Sequence, residues 1–147
     1  MSTRGLYTFV GENASDTWNV YRHHDNYPTG AADAIKAALS YAWELPRYEA
    51  DEFATAFIAA NKPSLKKDLP RGLSGGSIRM MPQGEPATVA QTNCSDIEFR
   101  YVITHSISDP STVYVTCYDT DGGEKESKVF EGTLPKFAAW AKKAEAA

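Results

Sequence analysis

Long apolar runs are missing from this chain. No stretch of its 147 residues approaches the ~18 apolar positions that a membrane-crossing helix requires, so no membrane association is expected. Positive charge is also short, with 15 Lys and Arg against 19 Asp and Glu and a formal charge of −4. Nucleic-acid binders generally carry the opposite surplus, so general nucleic-acid binding is not expected either. Cysteine occurs twice, at Cys94 and Cys117, in no metal-ligand spacing. The opening MSTRGLYTF lacks the basic, apolar and cleavage regions of a signal peptide, which points to a cytoplasmic location. In that reducing setting the two thiols read as packing residues and not as a disulfide. The Asn-X-Ser triplets at Asn13 and Asn93 then carry no glycosylation signal. Nothing points to a metal or another cofactor, and none is expected.

What is present suffices for a core. The apolar fraction is 42% and the aromatic fraction 12%. A chain of this length buries roughly 70% of its unfolded surface, so it needs no staples. A single domain spanning residues 1–147 is the natural expectation.

Periodicity then sorts the elements. Residues 5–10 (GLYTFV) and 17–23 (TWNVYRH) read as strands of a hairpin joined by the turn-rich GENASD. Alternation puts Trp18, Val20, Arg22 and His24 on one face, and Asn19, Tyr21 and His23 on the other. Thr29 reads as an N-cap for a helix over 30–44, with Ile35, Leu39, Ala42 and Trp43 on its inner stripe. Leu45-Pro46 ends that helix. A second helix over 48–60 turns Ala50, Phe53, Ala54, Phe57 and Ile58 inward. Residues 62–76 (KPSLKKDLPRGLSGG) read as a flexible, basic, glycine-rich loop. Strands follow at 77–81, 97–105, 112–118 and 128–132, with Ile97, Phe99, Tyr101 and Ile103 on one face of the longest. Asp109-Pro110 and Asp121-Gly122-Gly123 supply the turns of a meander. Thr133 caps a last helix that turns Phe137, Trp140, Ala141 and Ala144 inward. The expected class is α+β. It has a mainly antiparallel sheet, an N-terminal hairpin plus a C-terminal meander, with about three helices on one face.

Three short pieces carry a resemblance: MSTRG at the start, YRHHDNYPTGAA at 21–32, and DIEFRY at 96–101. Together they make the chain similar to a group of small, uncharacterised bacterial and phage proteins that open with MSTR. The group has a histidine-aspartate-x-tyrosine-proline segment before its first helix. Its usual glycine after the aspartate is Asn26 here, which keeps the turn available because asparagine tolerates left-handed backbone. The resemblance implies a phage or mobile-element context. It brings no activity that could be carried over residue by residue.

The segment 20–32 is the first candidate site. Adjacent histidines on an extended strand point to opposite faces, so His23 and His24 could share an ion only if the strand end kinks. His105, the third histidine, could join only through the fold. The plainer reading packs one imidazole under the helix and lets Asp25 accept backbone N–H bonds in a turn. A ligand or partner contact is the competing reading, and it nominates Arg4, His23, His24, Asp25 and Tyr27 as binding residues. Arg4 enters as a group able to orient a carboxylate or another anion.

Other signals are weaker. If Met1 is removed, Ser2 becomes N-terminal and could use its own amine as base, as in N-terminal-nucleophile amidohydrolases. The run Gly72-Leu73-Ser74-Gly75-Gly76 matches G-x-S-x-G, but it lacks the strand before and the helix after that a nucleophile elbow needs. Lys62, Lys66, Lys67, Arg71 and Arg79 form the one local excess of positive charge, suited to a phosphate or an acidic partner, without a P-loop pattern. Exposed tyrosines on an open sheet face would serve contacts with a partner, a homodimer included. The leading expectation is a non-enzymatic binding module for a protein partner or a small anionic ligand. The alternative is the Ser2 hydrolase.

Overall fold

Alternating apolar residues dictate the layers. In a computed structural model of the chain, residues 3–11, 16–42, 49–61, 78–80, 97–105, 112–120 and 125–146 are described. The strands are β1 (Arg4–Val10), β2 (Thr17–Arg22), β3 (Ile78–Met80), β4 (Ile97–His105), β5 (Val113–Asp119) and β6 (Ser127–Thr133). The helices are α1 (Pro28–Leu39), α2 (Ala50–Asn61) and α3 (Leu134–Ala146). The strands form one sheet in the order β3-β2-β1-β4-β5-β6. The fold is α+β, as the sequence suggests, with the expected hairpin β1–β2 and meander β4–β5–β6.

The sheet is mixed, not purely antiparallel. β1 pairs with β4 in parallel, Tyr7 opposite Tyr101 and Phe9 opposite Ile103. A parallel pair needs a long crossover, and the chain between β1 and β4 carries β2, α1, α2 and β3. The hairpin and the meander are thereby joined side by side.

All three helices cover one face. Tyr7 and Phe9 of β1 point to it, and their rings lie 4.5 and 5.4 Å from that of Phe57 on α2. Tyr101 and Phe130 meet Phe137 of α3 at 5.8 and 5.5 Å. Such tilted or edge-on pairs add about 0.5–1.5 kcal/mol each beyond area burial. Cys117 is a buried thiol in the same core, as its reading as a packing residue requires.

The opposite face carries a second, smaller cluster of Leu6, Tyr21 and Ile97. Here the alternation read from the sequence slips. Ile97 was expected beside Phe99 and Tyr101, but Arg4 pairs with Ile97 and Gly5 with Phe99. Glu98 is the extra residue of a bulge, and one extra residue turns Ile97 to the other face. Thr8 and Asn19, also on that face, are buried and joined side chain to side chain at 2.8 Å.

α1 also departs from expectation. It starts at Pro28, with Tyr27 as N-cap and no side-chain capping bond, instead of at Gly30 behind Thr29. Proline at the first helical position has no N–H to leave unpaired and its φ already suits the helix. The buried stripe is Ala31, Ala34, Ile35 and Ala38, while Leu39 is 47% exposed. Alanine sets the contact with α2, where Asn61 Nδ2 donates to Ala34 O at 3.1 Å. The expected loop 62–76 with its G-x-S-x-G run lies outside the described residues, as do Trp43, Cys94 and both predicted meander turns. No described helix is long and apolar enough to cross a membrane.

Candidate functional site

Two features share one end of the sheet. Register puts Gly5, Arg22, Phe99, Asp119 and Ser127 level there. The first feature is the corner after β2, where the histidines are. The second is a cleft on the helix-covered face.

The corner is organised by Asn26, which is fully buried. Its Nδ2 lies 3.0 Å from Thr3 O, 2.7 Å from Arg22 O and 3.0 Å from His24 O. Its backbone N–H donates to Thr3 O at 3.1 Å. The Tyr7 hydroxyl donates to Asn26 Oδ1 and the Tyr101 hydroxyl to Asn26 O, each at 2.6 Å. Burial pushes both tyrosine hydroxyls well above their ordinary value, so they stay neutral donors. One residue, through its side-chain amide and its backbone carbonyl, thus ties together the start of β1, the end of β2 and two core tyrosines.

The neighbours are shaped to fit. A Cβ on Gly5 would come within 2.6 Å of Asn26 Cβ, and one on Gly30 within 2.1 Å of Asp25 O. The left-handed residue is Asp25 (φ 60°), not Asn26, so the asparagine is there for its amide and not for its backbone freedom. Asp25 was expected to accept backbone N–H bonds in this turn; the Asn26 amide holds it instead, by donating to backbone carbonyls. Asp25 is exposed.

The nominated residues divide across the sheet. β2 ends at Arg22, and the kink beyond it brings the His23 and His24 rings edge to face at 4.5 Å. His23 Nδ1 and the Tyr21 hydroxyl share a hydrogen bond of 2.6 Å, on the side of Leu6 and Ile97. Alternation gives Arg4 that same face. Tyr27 lies across the sheet, lining the cleft. His105 closes β4 at the far end, roughly 20 Å along the strand from Phe99 at about 3.3 Å per residue. It does not join the other histidines. Among the described residues, no three His, Cys, Asp or Glu side chains group as a metal site. Ser2 lies outside the described residues.

The cleft encloses about 350 Å³ between the first turn of α1, the ends of β4–β6 and the last turns of α3. Its walls are Tyr27, Phe99, Val129 and Trp140, and Ala141 and Ala144 of α3 leave the space that larger side chains would fill. Tyr27 and Val129, 41% and 40% exposed, are two of the four exposed large apolar residues among the described ones, with Leu39 and Tyr41 outside the cleft. Asp119 and Glu145, both exposed, stand on its rim. Ala144 was expected to face the core, yet it is exposed and faces this opening.

Sequence reasoning reached Tyr27 and missed the rest. Phe99 and Trp140 read as ordinary core positions because their stripes are apolar. The available signal was Ala141 and Ala144 on the turn after Trp140, which leave that side of the ring without a bulky neighbour, while Phe137 stacks on it from the turn before. Compared with known proteins, the chain matches no family model, no curated protein and no solved structure.

Proposed function

We propose that the protein is a non-enzymatic binding module and that the cleft between Tyr27 and Trp140 receives the apolar part of a small ligand. The observation that carries this reading is a concave surface walled by Tyr27, Phe99 and Trp140, at which Tyr27 and Val129 stay exposed side by side with small alanines of α3. Binding pockets for small molecules are generally apolar, ~300–1,000 Å³, and largely pre-formed, and this cleft falls at the small end of that range. The Asn26 corner supports the reading indirectly. Its amide holds the chain immediately before Tyr27, so the wall that Tyr27 supplies is anchored to the core.

A panel of small aromatic compounds, followed by thermal shift, tests this. Compounds that occupy the cleft raise the Tm of the native protein, because ligand held only by the folded state stabilises it. Ala144→Trp fills the opening from an exposed helical position and should remove those shifts. Shifts that survive Ala144→Trp but vanish on changing Arg4 or His23 would move the site to the other face.

A further inference from the structure

We infer that the ligand of this cleft is a small organic cation, an amine or quaternary ammonium carried on an apolar body. The inference rests on the cleft being the binding site, and adds the chemistry of what enters it. Three aromatic residues, Tyr27, Phe99 and Trp140, contribute to the lining, and the two ionisable rim groups, Asp119 and Glu145, are both carboxylates. Among the described residues, no lysine or arginine lines the cleft. Lys128, Lys142 and Lys143 are neighbours in sequence of lining residues and do not line it themselves.

Aromatic faces attract a cation through the negative face of the ring, most strongly for tryptophan, and a nearby carboxylate adds a charge of the right sign. An anionic head would meet two carboxylates instead. The helix ends do not reverse this. The first turn of α1 brings a partial positive charge and the last turn of α3 a partial negative one, so the two oppose each other. The carboxylates decide the sign. The anionic ligand expected from the sequence leaned on Lys62, Lys66, Lys67 and Arg71, which lie outside the described residues, and on Arg79 in β3.

The test compares three probes of one size class: benzyltrimethylammonium, benzyl alcohol and benzoate. Affinities are read from tryptophan fluorescence and checked by calorimetry, on the native protein and on two variants. The cation should bind roughly tenfold more tightly than the alcohol, a cation–π and carboxylate contribution, with benzoate weakest. The double variant Asp119→Asn, Glu145→Gln should lower that preference to about threefold or less while leaving benzyl alcohol unchanged. Ala144→Trp should abolish binding of all three. If cation and alcohol bind equally and Ala144→Trp removes both, the cleft stands and the cationic assignment is overturned. A preference for benzoate overturns it too. If no probe binds, or Ala144→Trp changes nothing, the cleft reading falls with it.

Discussion

The Asn26 corner and the Trp140 cleft lie at the same end of one sheet, and they are built in opposite ways. The corner is crowded with polar groups, and Asn26 at its centre closes hydrogen bonds with Thr3, Tyr7, Arg22, His24 and Tyr101. Asn26, Tyr7, Tyr101 and Thr3 leave no room for a ligand, and even a methyl group on Gly5 would collide with the asparagine. The cleft is made of residue types associated with cores, yet they stop short of meeting. Tyr27 and Val129 stay exposed because alanines of α3 stand where larger side chains would close the gap. Chemically versatile residues here hold structure, and apolar residues supply the open surface. The reason is energetic. A buried amide is tolerated only when its bonds are made, so a buried polar cluster becomes a fastener.

The contrast can be broken in several ways. The largest effect is expected from Asn26→Ala. It removes a fully buried amide and leaves the Tyr7 hydroxyl and the strand-end carbonyls without their partner, which should destabilise by roughly 3–5 kcal/mol. Urea denaturation measures it, and a change below about 1 kcal/mol would show that the corner is not a fastener.

Alkaline unfolding comes next. Tyr7 and Tyr101 have raised folded values, so the unfolded chain loses these protons first as pH rises. Stability from this source is complete below the unfolded tyrosine value of about 10 and falls above it. The Tm measured between pH 8 and 12 should therefore bend downward beyond about pH 10. Tyr7→Phe and Tyr101→Phe should each flatten that bend.

Smaller again is the neutral-pH effect of those single substitutions, about 1–2 kcal/mol each for one lost buried hydrogen bond. Because both hydroxyls end on the same residue, the double variant should fall short of the sum, and a double-mutant cycle reads the difference. The smallest effect is Ala144→Trp on stability, within about 0.5 kcal/mol, since position 144 is exposed. A large loss there would mean that the cleft is part of the core.

The sequence made the layers legible and the site mostly not. Two-residue alternation located β1, β2, β4 and β5 within a residue or two, and the faces of β2 came out as read: Val20 with the main core, Tyr21 with Leu6. The parallel β1–β4 pair was hidden because pairing across such a separation leaves no local pattern. Ile97 turned the wrong way for a related reason, since a one-residue bulge shifts register without altering composition. α1 was misplaced because Thr29 resembles an N-cap, while Pro28 suits the first helical position better. For the site, side-chain type misled. His23 and His24 drew attention as rare reactive groups, whereas the decisive residue was Asn26, whose partners come from its own turn and from two distant segments, at Thr3 and Tyr7 and at Tyr101. Phe99, Val129 and Trp140 each look like core alone, and only the fold shows that they fail to meet.

Benzyl alcohol titrated into ¹⁵N-labelled protein, with backbone and indole N–H resonances followed by NMR, separates the two regions most directly. Because the probe is neutral, the outcome does not depend on the sign of the rim charges. Shifts are expected at the Trp140 indole and at the amides of Tyr27, Val129 and Ala144, with those of Arg4 and His23 still. Shifts gathered at Arg4, His23 and His24 while the Trp140 indole stays fixed would contradict the assignment of structure to the corner and binding to the cleft.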